Sequence, residues 1–167
     1  MYYIKVSLKK ETGRRSNIVM THGLKPSDTL STVYLKHLID KLTAASGDEA
    51  EALLSKHDFY IFVFINTDGI VFGNSVTNIA GSNLYEMGKN SRLMQKETHV
   101  VLKQINRIPD VFLLINLSVD FSRWGNKQVA LLGLLLKGQR VVQAQGADLP
   151  LQRPMLQFLL EELEVSS

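Results

Sequence analysis

Alternation of apolar and polar residues begins almost at the first position. Ile4, Val6 and Leu8 alternate with Lys5, Ser7 and Lys9, the period of a half-buried strand. Glu11-Thr12-Gly13 then supplies a short loop with a glycine for the left-handed position of a three-residue hairpin. Residues 1–20 thus predict a β-hairpin. With Lys10 opposite Arg14, Val6 faces Ile18 and Ile4 faces Met20, giving one mostly apolar face. The other face carries Lys5, Lys9 and Arg15, with Lys9 opposite Arg15, a like-charge pairing that needs something to neutralise it.

Residues 21–28, with Gly23 and Pro26, read as a connection, and Ser27, Asp28 and Thr29 are candidate caps for a following helix. Leu30, Val33, Tyr34, Leu38 and Leu42 form its expected apolar stripe, and Gly47 is placed to end it. A second short helix is expected over residues 48–57. Residues 59–65 are continuously apolar, as in a strand covered on both faces. Asn66-Thr67-Asp68-Gly69 reads as a turn, with residues 70–72 returning as a partner strand. Residues 76–83 read as loop. Helical spacing recurs over 84–105, with a break at Gly88-Lys89-Asn90-Ser91. Strands are expected at 111–119 and 140–145, and helices at 127–137 and from Pro154 onward. The pattern predicts a single α/β (or α+β) domain spanning residues 1–167, a mixed sheet with an N-terminal β-hairpin and flanking helices.

Composition changes this picture little. The 167 residues are 45% hydrophobic and 21% charged, ordinary for a folded domain. With no cysteine, disulfides and thiolate metal sites are excluded, and a reducing, cytoplasmic setting is expected. The longest apolar runs are far short of the roughly 20 residues that span a bilayer, and no secretory signal is evident, so no membrane association is expected. Net charge is +3, concentrated as +5 in residues 1–41 against −2 for the remainder.

That asymmetry makes the basic ribbon the first candidate contact surface. Lys5, Lys9, Lys10, Arg14 and Arg15 suit a phosphate backbone, a protein partner, or protection of an exposed strand edge. Arg123 and Trp124 add an aromatic plus Arg pair of the kind favoured in protein contacts. The four histidines, His22, His37, His57 and His99, show no metal-ligand spacing, so neither metal nor cofactor is expected. Asp68 and Asp120 follow two expected central strands and would form an acid–base or Mg²⁺ pair only if they converged; turn and cap roles explain both. The glycine-containing segments lack the spacing of a phosphate loop. No catalytic residue stands out.

Residues 109–150, with Val111-Phe112-Leu113-Leu114-Ile115-Asn116-Leu117 leading through Asp120-Phe121-Ser122 to an apolar helix and a Val141-Val142 strand, resemble a segment of the cap or terminator subunits of contractile tail-like particles. The resemblance implies a structural role. The sequence therefore points to a noncatalytic binding or assembly subunit, forming a homo-oligomer or protein complex through its basic hairpin. Nucleic-acid binding through the same hairpin and a phage-tail-like structural role are the alternatives.

Overall fold

The computed structural model describes residues 1–8, 15–44, 48–84, 95–118 and 140–144. Along them run β1 (Ile4–Val6), β2 (Ser16–His22), α1 (Thr29–Ala44), α2 (Asp48–Lys56), β3 (His57–Phe62), α3 (Thr67–Val71), α4 (Lys96–Ile105), β4 (Val111–Leu117) and β5 (Arg140–Ala144). The strands form one mixed sheet in the order β1-β3-β2-β4-β5. β2, β3, β4 and β5 are mutually parallel, and β1 runs antiparallel on the β3 edge. The α/β class expected from the pattern is the class observed.

β1 and β2 are not a hairpin. β3 lies between them, antiparallel to β1 and parallel to β2. The expected rows survive with a strand inserted: Val6 pairs with Phe59, which pairs with Ile18, and Ile4 pairs with Ile61, which pairs with Met20. Alternation fixes which residues share a face, but it is silent on which strand stands alongside. The loop 11–13 on which the hairpin rested lies outside the described residues, as do the helices expected at 127–137 and beyond 154.

Both faces of the sheet are covered. On one, Leu35, Leu38 and Leu42 of α1 and Leu53 and Leu54 of α2 pack on Ile18, Met20, Phe59, Ile61, Leu113 and Ile115. On the other, Val101, Leu102 and Ile105 of α4 pack on Val19, Phe62, Val111 and Leu114. Right-handed crossovers running in opposite directions from a central strand place their helices on opposite faces in this way. Every one of these side chains is less than 10% exposed, the burial that supplies most of the driving force for folding.

Two local expectations fail for identifiable reasons. The buried stripe of α1 is Ser31, Leu35, Leu38 and Leu42, while Val33 is 64% exposed. A serine at the head of the stripe disguised it. Residues 66–72 are not a turn and returning strand but the short helix α3, because the Asn66 side chain accepts from Gly69 N and closes a helical turn. Among the described residues no helix is long and apolar enough to cross a membrane.

Candidate active site at the carboxyl end of the sheet

The chain leaves β2 for β3 on one side, then crosses back to β4 on the other. In open α/β sheets such a reversal leaves a crevice beyond the carboxyl ends of the two diverging strands, and ligands bind there. Here those ends are His22 of β2 and Leu117 of β4, which are paired across the sheet.

The turn after β2 requires Gly23. Its φ is +76°, and a Cβ there would lie 3.1 Å from both Phe64 Cα and Val63 O. The close approach permits Ile65 N to donate to His22 O at 3.2 Å and Asn66 N to Gly23 O at 2.9 Å. Asn66 Nδ2 donates to Leu24 O at 3.2 Å. The β2 and β3 exits are thereby stitched together. α1 starts against this seam, with Asp28 Oδ1 accepting from Ser31 N at 3.1 Å as the cap.

His22, 1% exposed, joins all three segments. Its Nδ1 is 2.5 Å from Val63 O and its Nε2 2.8 Å from Ser31 Oγ. A carbonyl only accepts, so Nδ1 carries the proton and Nε2 accepts the Ser31 hydroxyl. Burial pushes the pKa of the ring below its ordinary value, against the opposing pull of the Val63 carbonyl and the Asp28 charge. On the β4 side Thr21 Oγ1 donates to Asn116 Oδ1 at 3.0 Å. Ser118, one residue past β4, has a buried hydroxyl with no hydrogen-bond partner. The site is thus a seam of amides and hydroxyls with a single imidazole and the capping Asp28 carboxylate, and among the described residues no three His, Cys, Asp or Glu side chains come together as metal donors.

The residues singled out by charge stand elsewhere. Lys5 Nζ lies 3.1 Å from Asp58 Oδ2 and Arg15 Nε lies 3.3 Å from Asp58 Oδ1. Asp58 thus neutralises Lys5 and Arg15; the expected facing of Lys9 with Arg15 involves a residue outside the described ones. The Arg15 contact is an ion pair without hydrogen-bond geometry, since Asp58 Oδ1 has no hydrogen-bond partner. Lys9, Lys10, Arg14, Arg123, Trp124 and Asp120 lie outside the described residues, and Asp68 is exposed on α3. Sequence reasoning passed over His22, Ser31 and Ser118. Two signals pointed to the first two, a histidine closing a strand directly before a glycine and a serine on the apolar stripe of α1; none pointed to Ser118.

The family model of zinc carboxypeptidase, peptidase M14, matches residues 1–122. No curated protein matches the sequence. Among solved structures, a putative carboxypeptidase A from Shewanella denitrificans OS-217 shares 26% identity over 71% of this chain and 31% of its own, with a TM-score of 0.61. A metallo-carboxypeptidase from Burkholderia cenocepacia shares 23% identity over 71% of this chain and 32% of its own, with a TM-score of 0.62. One from Pseudomonas aeruginosa, in complex with (2-guanidinoethylmercapto)succinic acid, shares 24% identity over 71% of this chain and 31% of its own, at 0.61. The chain thus spans about a third of the length of these structures. The match overturns the expectation of a noncatalytic, oligomer-forming assembly subunit, together with the nucleic-acid-binding and tail-particle alternatives, because it is to a family of peptidases. Those expectations rested on exposed charge, on missing motifs and, for the tail-particle role, on the apolar pattern of residues 109–150, none of which reports where a chain brings residues together. The chain belongs to the zinc carboxypeptidase family, peptidase M14.

Proposed function

We propose that the protein is a peptidase that removes residues from the carboxyl terminus of a peptide, with the crevice beyond β2 and β4 receiving that terminus. The observation that carries the reading is the coincidence of two independent facts: the family match covers residues 1–122, and within them strand order alone puts a ligand crevice at the ends of β2 and β4.

Zinc in such enzymes polarises a carbonyl and activates water. The described residues do not fit it. Zinc is held by thiolate, imidazole or carboxylate donors, generally three or four of them from the protein, and the described residues at this end of the sheet offer one imidazole, His22, and one carboxylate, Asp28, which caps α1, among hydroxyls and amides. What the described residues contribute is a rigid floor: Gly23 and Asn66 fix the strand exits, and the buried Ser118 hydroxyl has hydrogen-bonding capacity to spare.

The test is mass spectrometry of peptides incubated with the protein and Zn²⁺. Stepwise loss of C-terminal residues from free-acid peptides, with C-terminally amidated ones spared, is expected. Intact free-acid peptides after addition of Zn²⁺ would overturn the reading.

A further inference from the structure

We infer that His22 is a structural pin in this protein and not a metal ligand, an inference that rests on the carboxypeptidase reading only for the expectation of a metal. A histidine that binds metal through one nitrogen commonly donates its other N–H to a carbonyl, so the Nδ1 contact with Val63 O at 2.5 Å decides nothing by itself. The question turns on Nε2, whose lone pair is the one a neutral imidazole could offer to a metal.

That lone pair is already engaged. Ser31 Oγ approaches Nε2 at 2.8 Å, closer than its alternative acceptor Asp28 O at 3.3 Å, so its one proton goes to the ring. Thr32 Oγ1, 3.4 Å from Nε2, has its better acceptor in Asp28 O at 3.1 Å. Ser31 is itself fully buried on the core stripe of α1, so it cannot swing away without opening the core. Among the described residues no three His, Cys, Asp or Glu side chains converge here, and the carboxylate nearest the ring, Asp28, is engaged as the cap of α1. The position paired with His22 on β4 is Leu117, and the next residue is Ser118. His57 opens β3 at the other end of the sheet, and His37 and His99 lie within α1 and α4.

A bond from the ring to the carbonyl of Val63, just past β3, and another from the Ser31 hydroxyl of α1 to the ring make His22 the tie that holds the first turn of α1 onto the sheet. Its loss should then cost stability and leave metal uptake unchanged.

The experiment titrates the full chain with Zn²⁺ alone, by calorimetry and by metal analysis after gel filtration, for the unaltered protein, His22→Asn and Ser31→Ala. Thermal midpoints are recorded with Zn²⁺ and with chelator. Expected is the same zinc stoichiometry and affinity in all three, with midpoints lowered by roughly 3–10 °C in each variant. A zinc affinity that falls tenfold or more in His22→Asn would overturn the inference. Should His22→Asn fail to fold, Ser31→Ala decides, because it leaves the imidazole in place: a lowered midpoint with unaltered zinc affinity supports the pin. Tighter zinc binding once the hydroxyl is gone would refute it. Peptide trimming is read separately. Its absence alongside an unchanged zinc response defeats the carboxypeptidase reading and leaves the pin standing, whereas zinc binding abolished by His22→Asn defeats the pin and leaves the reading.

Discussion

The two ends of the parallel sheet are built from different chemistry. At the amino end, Asp58 is buried and meets the cations Lys5 and Arg15, Ser16 Oγ sits 2.7 Å from His57 Nδ1, and the His57 ring stacks on Phe112 at 5.8 Å. At the carboxyl end, Gly23, Asn66, His22, Ser31 and Thr21 are joined by hydrogen bonds between neutral groups, with Asp28 acting as a cap. Lys5, Arg15 and Asp58 are therefore spent on each other at the amino end. The proposed crevice lies at the other, quieter end. Net charge and basic clusters report on the solvent-facing field of a protein, while a binding crevice follows from strand order, which charge does not encode.

The comparison can be broken most severely at the carboxyl end. A Cβ on Gly69 would lie 2.6 Å from Asn66 Oδ1 and 2.7 Å from both Pro26 Cγ and Thr77 O, and neither the cap nor the backbone can yield cheaply. Gly69→Ala should destabilise by about 3 kcal/mol in denaturant titration. An unchanged midpoint would mean that the seam is looser than described. At the amino end Asp58→Asn leaves Arg15, with its side chain 12% exposed, without its charge partner. A loss of about 2 kcal/mol is expected, below that of a fully buried pair because Lys5 is 44% exposed and can turn to water.

Acid should press on both ends at once, more gently than either substitution. Burial lowers the pKa of His22, and burial together with the Lys56 charge lowers that of His57, from an ordinary 6.5. Below that value the unfolded chain takes up protons that the folded rings refuse, so stability falls as pH drops from about 6.5 towards the lowered native values. Thermal melts across pH 7.5 to 5, an interval of about the width needed to titrate both rings, should show that decline. His57→Gln should flatten part of it. A stability independent of pH in this window would contradict the burial of both rings.

The smallest effect belongs to the most exposed charge. Lys5→Ala removes one arm of the Asp58 cluster and should cost about 0.5 kcal/mol or less at low salt, shrinking further as salt is added. The hydrogen bond to Asp58 raises the pKa of Lys5, with smaller help from Tyr60. Its contribution is therefore complete below the ordinary value of 10.5 and is lost as pH climbs through the raised one.

How much of this was legible in the sequence depended on range. α2, β4 and β5 lie within a residue or two of where apolar runs and turn residues put them, since those signals are local. β3 was legible as a doubly covered strand, although it starts at His57 and ends at Phe62, because Val63 to Asn66 carry the seam instead of the ladder. The pairing of β1 was not legible. Its partner in the chosen register was Met20 for Ile4, and the strand that intervenes arrives from residues 57–62. The helical turn of α3 was hidden because Asn-Thr-Asp-Gly suits a hairpin loop as well as a capped helix, and tertiary contacts of Asn66 decide between them. The switch point proposed as the site was the least legible feature, since it exists only once β3 and β4 have settled on opposite sides of β2.

The insertion of β3 between β1 and β2 also sets an order of events as the chain emerges from the ribosome. Both neighbours of β2 come later in the sequence than β2 itself, and among the described residues β1 pairs only with β3. α1 and α2 are local and can begin to form at once, but Ile18, Val19 and Met20 must wait for residues 57–62 and then for 111–117 before their backbone is paired. Such deferred, non-local closure slows folding and leaves apolar strands open to wrong partners in the meantime. β1 and β2, made before the strands they pair with, are thus slow to become safe, and nascent chains stalled before His57 should be a species that needs a chaperone.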